Sequence, residues 1–305
     1  MGRRKVLYML TIGRLWYSAF PCVATDKAEY RKRTAHGKRG EKRDFASDGG
    51  EMLAVFDPTV AKCPEGLRGP PLAGAAAAAA GGVGALMKGF SAAHDGAVTV
   101  SLGASGALAY SAAKQNPLVP RLFGAVNDIF CLFEGHIENI ANLKQHYGLS
   151  KTANEVTIII EAYRTLRDRG PVPASQVVRD LSGKFAFILY DTLSKSTFVA
   201  ADADGSIPFF WGVDSEDHVV FSDDAGLLKT GCGNSYAPFP KGCFYTTSGG
   251  LQSFEHPMHE VKAVPRVDSQ GQMCGSTFKV DSEAKKKQDA SIPRVGSAAD
   301  WSNQF

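Results

Sequence analysis

The sequence predicts an α+β protein built in layers, and three patterns predict it. Short apolar runs recur with turn residues between them, as at 185–190 and 197–201 around the polar linker 191–196, so antiparallel hairpins supply the sheets. Helical spacing of apolar residues is confined to a few segments, clearest at Val156, Ile159, Ile160, Tyr163 and Leu166. A 44% hydrophobic and 21% charged composition over 305 residues supplies a large core, and one large domain is expected.

Residues 53–56 form the first expected strand, followed by a Pro- and Gly-rich loop at 58–71 that holds Cys63. The alanine run 75–80 favours helix, its flanking glycines oppose one, and it carries no chemistry. Val98, Val100 and Leu102 alternate and pair with 107–110 across a turn near 103–106. After Pro117 and Pro120 come a strand at 123–126, a turn at Asn127 and Asp128, and a strand at 128–133 that Glu134 and Gly135 end as a tight turn. A short helix before Leu149 follows.

Thr152 and Glu155 have capping-box spacing, in which a hydroxyl and a carboxylate three residues apart each satisfy a free amide at a helix start. The helix runs to about Arg169, where Arg164, Arg167 and Arg169 meet the negative end of its dipole and Gly170 and Pro171 stop it. A further helix runs from about Ser175 to Gly183 and leads into the 185–201 hairpin. Residues 208–211 and 218–222 form another hairpin, Asp223 and Asp224 cap a helix through Lys229, and 239–245 resumes a strand.

Charge is uneven along the chain. The first 51 residues hold 12 Lys or Arg against 6 Asp or Glu, leaving 22 against 25 in the remainder. The apolar run 6–12 is too short for a membrane span, breaks at Arg14 as a secretory signal, and Val6 stands where a myristoylation site needs Ser or Thr. A basic nucleic-acid arm at 31–33 and 38–39 and an organellar transit peptide are weaker readings than a solvated leader outside the fold. The six cysteines never reach C-x-x-C spacing, which points to a reduced, intracellular set. His256 and His259 lie in a Pro-containing loop and make a poor metal site, so neither metal nor cofactor is expected.

Four segments carry a resemblance when read in order: residues 134–139 from Glu134 to Asn139, 152–156 from Thr152 to Val156, 181–191 from Leu181 to Asp191, and 202–210 from Asp202 to Phe210. Together they resemble the class II glutamine amidotransferase domain of asparagine synthetases. Met52 to Asp57, Tyr147-Gly148-Leu149 and Leu166-Arg167-Asp168-Arg169 resemble the plant aluminium-induced or stem-specific proteins marked by YGL and LRDR motifs. The resemblance implies the four-layer αββα sandwich of the N-terminal-nucleophile hydrolases. It also implies an organisation: leader at 1–51, amidotransferase-like domain at 52–280, polar tail at 281–305. No Gly-rich phosphate loop follows in the sixty or so residues after the domain's last strand, so no counterpart of the ATP-using partner domain of the synthetases is expected.

The family's chemistry sets a test for this chain. Its nucleophile is an N-terminal cysteine whose own amine is the base, and the position matches Leu53. Its oxyanion-binding Asn-Gly pair matches Glu134 and Gly135; a carboxylate has no N–H to give, and losing one such donor costs about 100 to 1,000-fold in rate. The aspartate that anchors the substrate amine matches Ala153. A non-catalytic domain is therefore expected, its degenerate pocket formed by Leu53, Glu134, Gly135, Ala153, Asn154 and Glu155, with Glu134 and Glu155 drawing an amino-bearing ligand. His136, beside Gly135, is pocket-facing on the same resemblance. The alternative is a glutamine-hydrolysing amidotransferase or other hydrolase with a relocated nucleophile, Cys63, Thr59 or a processed terminus. The resemblance further implies a homodimer in the cytosol or nucleus of a plant, responsive to aluminium, hormones or stress. Nucleic acid is not an expected partner.

Overall fold

A computed structural model of the chain describes residues 52–69, 82–111, 121–169, 173–267 and 273–281. The leader, the alanine run and the tail beyond Asp281 lie outside the described residues. Among the described residues fourteen strands and five α-helices follow in order. They are β1 (Met52–Phe56), α1 (Val83–Ala93), β2 (Val98–Ser101), β3 (Gly106–Tyr110), β4 (Arg121–Val126), β5 (Ile129–Ile137), α2 (Ile140–His146), α3 (Glu155–Arg169) and α4 (Ala174–Arg179). Then come β6 (Gly183–Asp191), β7 (Ser196–Ala201), β8 (Phe210–Val213), β9 (Val219–Ser222), α5 (Ala225–Cys232), β10 (Tyr236–Pro238), β11 (Cys243–Thr246), β12 (Gly250–Ser253), β13 (Val261–Val267) and β14 (Met273–Val280).

Two six-stranded sheets carry the fold, ordered β10-β8-β9-β1-β3-β2 and β12-β11-β7-β6-β5-β4, with β13 and β14 as a separate hairpin. Neighbours within the two large sheets pair antiparallel, as the hairpin patterning predicts. Strand alternation then sorts the side chains into three cores. Ala54, Phe56 and Phe221 of the first sheet meet Leu132, Ile188 and Tyr245 of the second in one cluster between the sheets. Phe133, Phe185 and Phe187 leave the second sheet's other face to pack on Leu143 of α2, Ile159 and Tyr163 of α3 and Val178 of α4. Leu53, Val55 and Val220 leave the first sheet's other face to pack on Leu86 and Phe90 of α1 and Leu228 of α5. The layers are helix, sheet, sheet, helix, which is the expected αββα sandwich.

Several expected boundaries move. Glu134 and Gly135 do not turn the chain; β5 continues through them to Ile137, paired residue by residue with β6. The expected turn at Asn127 and Asp128 stands between β4 and β5, with positive φ of 49° and 64° at the two residues, as a two-residue hairpin turn that follows the strand twist requires. Asn154 replaces Thr152 as the cap of α3: its Oδ1 accepts the Thr157 N–H at 3.0 Å, so the capping-box spacing predicts the helix but misplaces its start. The 175–183 helix ends at Arg179, and Gly183 opens β6. The strands β12, β13 and β14 and helix α1 have no counterpart in the sequence reading.

Candidate functional site

The inter-sheet space beside β1 and β5 is where the resemblance places a pocket. Along β1, Met52, Ala54 and Phe56 face that space, and Leu53 and Val55 face α1 and α5. Leu53 is fully buried in the helix-side core and does not face the inter-sheet space; its neighbour on β1 that does is Met52. Its backbone is fixed on both sides: the Met52 N–H donates to Asp223 Oδ1 at 3.0 Å and Ser222 Oγ donates to the Met52 carbonyl at 2.9 Å.

On the facing sheet, β5 sends Leu132 to the inter-sheet core and Phe133 to the helix side. Glu134 shares the Leu132 face by the same alternation and is 5% exposed, with Arg121 opposite it in the β4 register. Gly135 holds φ +116°, and a Cβ there would lie 2.0 Å from the Lys184 carbonyl oxygen, so no residue with a side chain fits without moving β6. His136 Nδ1 lies 3.4 Å from Glu155 Oε1, which brings the first turn of α3 against β5 two residues past Glu134. Glu155 there also complements the helix dipole. Ala153 is half-buried and donates its N–H to the Ser150 carbonyl, while Asn154 is spent on capping. Tyr110 of β3 stacks on Phe123 of β4 at 4.7 Å, a contact from one sheet to the other.

Nucleophile chemistry needs a thiolate or an activated hydroxyl. Cys63 is half-buried, and burial pushes its thiol up against the opposing pull of Arg68. Burial raises Cys232 and Cys243 to about 12 and Cys131 higher still. Thr59 donates its hydroxyl to Asp57 Oδ1 at 2.6 Å, but the hydrogen bonds from Thr59 hold the Asp57 carboxyl below its usual range, which makes it a weak base. Among the described residues no group of three or more His, Cys, Asp or Glu could hold a metal, and no helix is long and apolar enough to cross a membrane.

The two short motifs build a second region. Tyr147-Gly148-Leu149 is the C-terminal cap of α2: Gly148 takes φ +65° and donates to Gln145, while the Leu149 N–H donates to Lys144 at 2.8 Å, the paired bonds of a Schellman motif. Leu149 and Leu166 then pack on the helix-side core. Arg167 donates from Nε and Nη2 to Asp168 and from Nη1 to Asp191 at 2.9 Å. The Asp191 side chain is wholly buried and also accepts from the Tyr163 hydroxyl at 3.1 Å, Ser194 Oγ at 2.9 Å and the Leu193 N–H at 2.9 Å. Burial pushes this carboxyl up, and the bonds from Arg167, Ser194, Leu193 and Tyr163 outweigh it and hold it below the usual range. Arg169 ends the helix.

The sequence profile of a family described as aluminium-induced protein matches residues 53–280. A stem-specific protein of Nicotiana tabacum, TSJT1, is 47% identical over 93 residues, covering 30% of this chain and 62% of that protein. A glutamine-hydrolysing asparagine synthetase of Oryza sativa subsp. japonica is 32% identical over 131 residues, covering 43% of this chain and 20% of the synthetase. The chain thus spans under two thirds of either relative. Among solved structures, a glutamine phosphoribosylpyrophosphate amidotransferase from B. subtilis matches with a TM-score of 0.36 at 18% identity, covering 49% of this chain and 35% of that one. A glutamine aminotransferase class-II domain protein from Silicibacter pomeroyi matches with a TM-score of 0.31 at 10% identity, covering 67% and 94%.

Proposed function

The chain belongs to the aluminium-induced protein family, and from that premise we propose that it is a non-catalytic relative of the glutamine amidotransferase domain that acts by binding. The observation that carries the reading is the buried Glu134 carboxylate on the inter-sheet face next to Gly135. An oxyanion forming there would meet negative charge where acyl transfer needs a donor, which opposes the transition state. The strand β1 supports the same reading, since Met52, Leu53, Ala54, Val55 and Phe56 offer neither thiol nor hydroxyl.

The pocket's chemistry favours a ligand with a protonated amine. Glu134 and Glu155 supply acidic groups, and the Tyr110 and Phe123 stack supplies an aromatic wall. On this reading the protein acts as a homodimer in the cytosol or nucleus, in a response to aluminium, as the family description suggests, or to hormone or stress, as the resemblance implies.

Chemical-shift titration with ethanolamine tests the binding reading. Shifts at Glu134, Gly135 and Glu155 are expected, and they are expected to vanish in the Glu134→Ala, Glu155→Ala double variant. Unchanged binding in that variant would sink the ligand assignment.

A further inference from the structure

A second cleft lies on the other side of the second sheet. It has a volume of about 160 Å³ and is walled by the C-terminal end of α3, the β6–β7 turn and the β11–β12 turn. It is separate from the inter-sheet pocket: Asp191 beneath it pairs with Ile129, whereas Glu134 pairs with Ala186, five residues along β5, or roughly 17 Å at strand rise. Asp191 meets Tyr163 of α3, so this cleft belongs to the helix layer.

The hydrogen-bond inventory of its walls shows what they can still offer. Thr247 Oγ1 accepts the Thr197 N–H at 2.8 Å and Thr246 Oγ1 accepts the Gly249 N–H at 3.0 Å, so each hydroxyl keeps its proton to donate. Ser196 Oγ donates to the Ser194 carbonyl at 3.3 Å, which leaves its lone pairs to accept. Arg167 commits three of its five N–H bonds to Asp168 and Asp191, and its side chain remains 28% exposed. Tyr163, Leu166 and Phe198 add apolar surface on the same cleft. Donors and acceptors therefore alternate over an apolar floor.

Charge narrows the ligand class. The Arg167 guanidinium is offset by two carboxylates, one at Asp168 and one at Asp191, and among the described residues no other cation lines the cleft. A free anion gains nothing from such a site, because the attraction of the guanidinium is cancelled at the same short range. We propose that this cleft, formed by Arg167, Ser196, Thr246, Thr247 and Ser248 over Tyr163 and Phe198, binds a neutral polyhydroxy compound of about the size of one sugar ring. The LRDR segment thereby supplies one wall of a site, with Asp191 as the positioning residue that holds Arg167 in place. The assignment is independent of how the inter-sheet pocket is used.

Saturation-transfer NMR on the full chain with myo-inositol and glucose, and with inorganic phosphate and acetate as anionic probes, tests it. Transfer is expected to a neutral polyol with a Kd on the order of 1 mM, the scale a small ligand of this size reaches. A Ser248→Ala, Thr246→Val double variant, checked as folded by its native near-UV circular dichroism, should weaken that binding about tenfold. An Arg167→Lys variant keeps the charge and loses the planar fork, and should weaken it as well. Absence of transfer to either polyol, tighter binding of phosphate or acetate, or equal binding in the double variant would each overturn the proposal.

Discussion

The second sheet buries a carboxylate on each of its faces, and the two are built for opposite ends. Asp191, toward the helices, is enclosed by an arginine, a tyrosine, a serine and a backbone N–H, so its charge is matched bond for bond. Glu134, toward the other sheet, is 5% exposed and lies beside a glycine whose backbone tolerates no side chain. The difference teaches that the motif most visible in the sequence, LRDR, fastens α3 to the β6–β7 hairpin. Which face of the sheet Glu134 takes has to be read from the alternation along β5.

The comparison can be broken first at its most rigid point. Gly135→Ala forces a Cβ against the Lys184 carbonyl and removes the only residue type at ease at that φ, so a loss of about 3 kcal/mol or more is expected in denaturant unfolding. A loss under about 1 kcal/mol would mean that β5 and β6 separate easily there. Asp191→Ala removes the shared acceptor of Arg167 and Tyr163 and should cost about 3 kcal/mol. Arg167→Met should cost less, because that side chain is partly solvated. If the two changes add without coupling, the cluster is not one unit.

A pH titration of stability sharpens the same contrast. Asp191 has its folded pKa below the unfolded value of about 3.9, so its contribution is present above that pH and is lost as pH falls through the folded value. Wild type should therefore lose more stability than Asp191→Ala as pH drops below about 4. Equal slopes would remove Asp191 from the account.

Smaller effects follow at the edges of the two regions. Cys63, its thiol raised by burial, should react with iodoacetamide at neutral pH more slowly than free cysteine does. Fast labelling would revive it as a relocated nucleophile. Asn154→Ala should cost about 1 kcal/mol through the lost cap of α3, and Thr152→Ala much less.

Much of the architecture is legible in the sequence, for a physical reason. Strand alternation and the apolar stripe of α3 are imposed by burial, so β6, β7, β8, β9 and α3 can be read from pattern. The element ends are harder, since Asn154 and Thr152 are both good caps and only tertiary packing chooses between them. Glu134 and Gly135 read as a turn because Gly usually marks one, whereas here the glycine serves close approach to β6. The inter-sheet face is half legible: the resemblance singles out Glu134 and Gly135 there, but it also places Leu53 there, and Leu53 turns to the helix side. The Asp191 cluster was not legible at all, since Tyr163, Arg167, Asp191 and Ser194 meet only through the packing of α3 on the hairpin.

Glutamate release from glutamine by the purified chain, with Cys63→Ala and Glu134→Asn alongside, tests the central claim most directly. The account predicts no turnover in any of the three, because restoring a donor at Glu134 leaves β1 without a nucleophile. Turnover in wild type that Cys63→Ala abolishes would contradict it and make this chain a hydrolase with its nucleophile moved into the loop after β1.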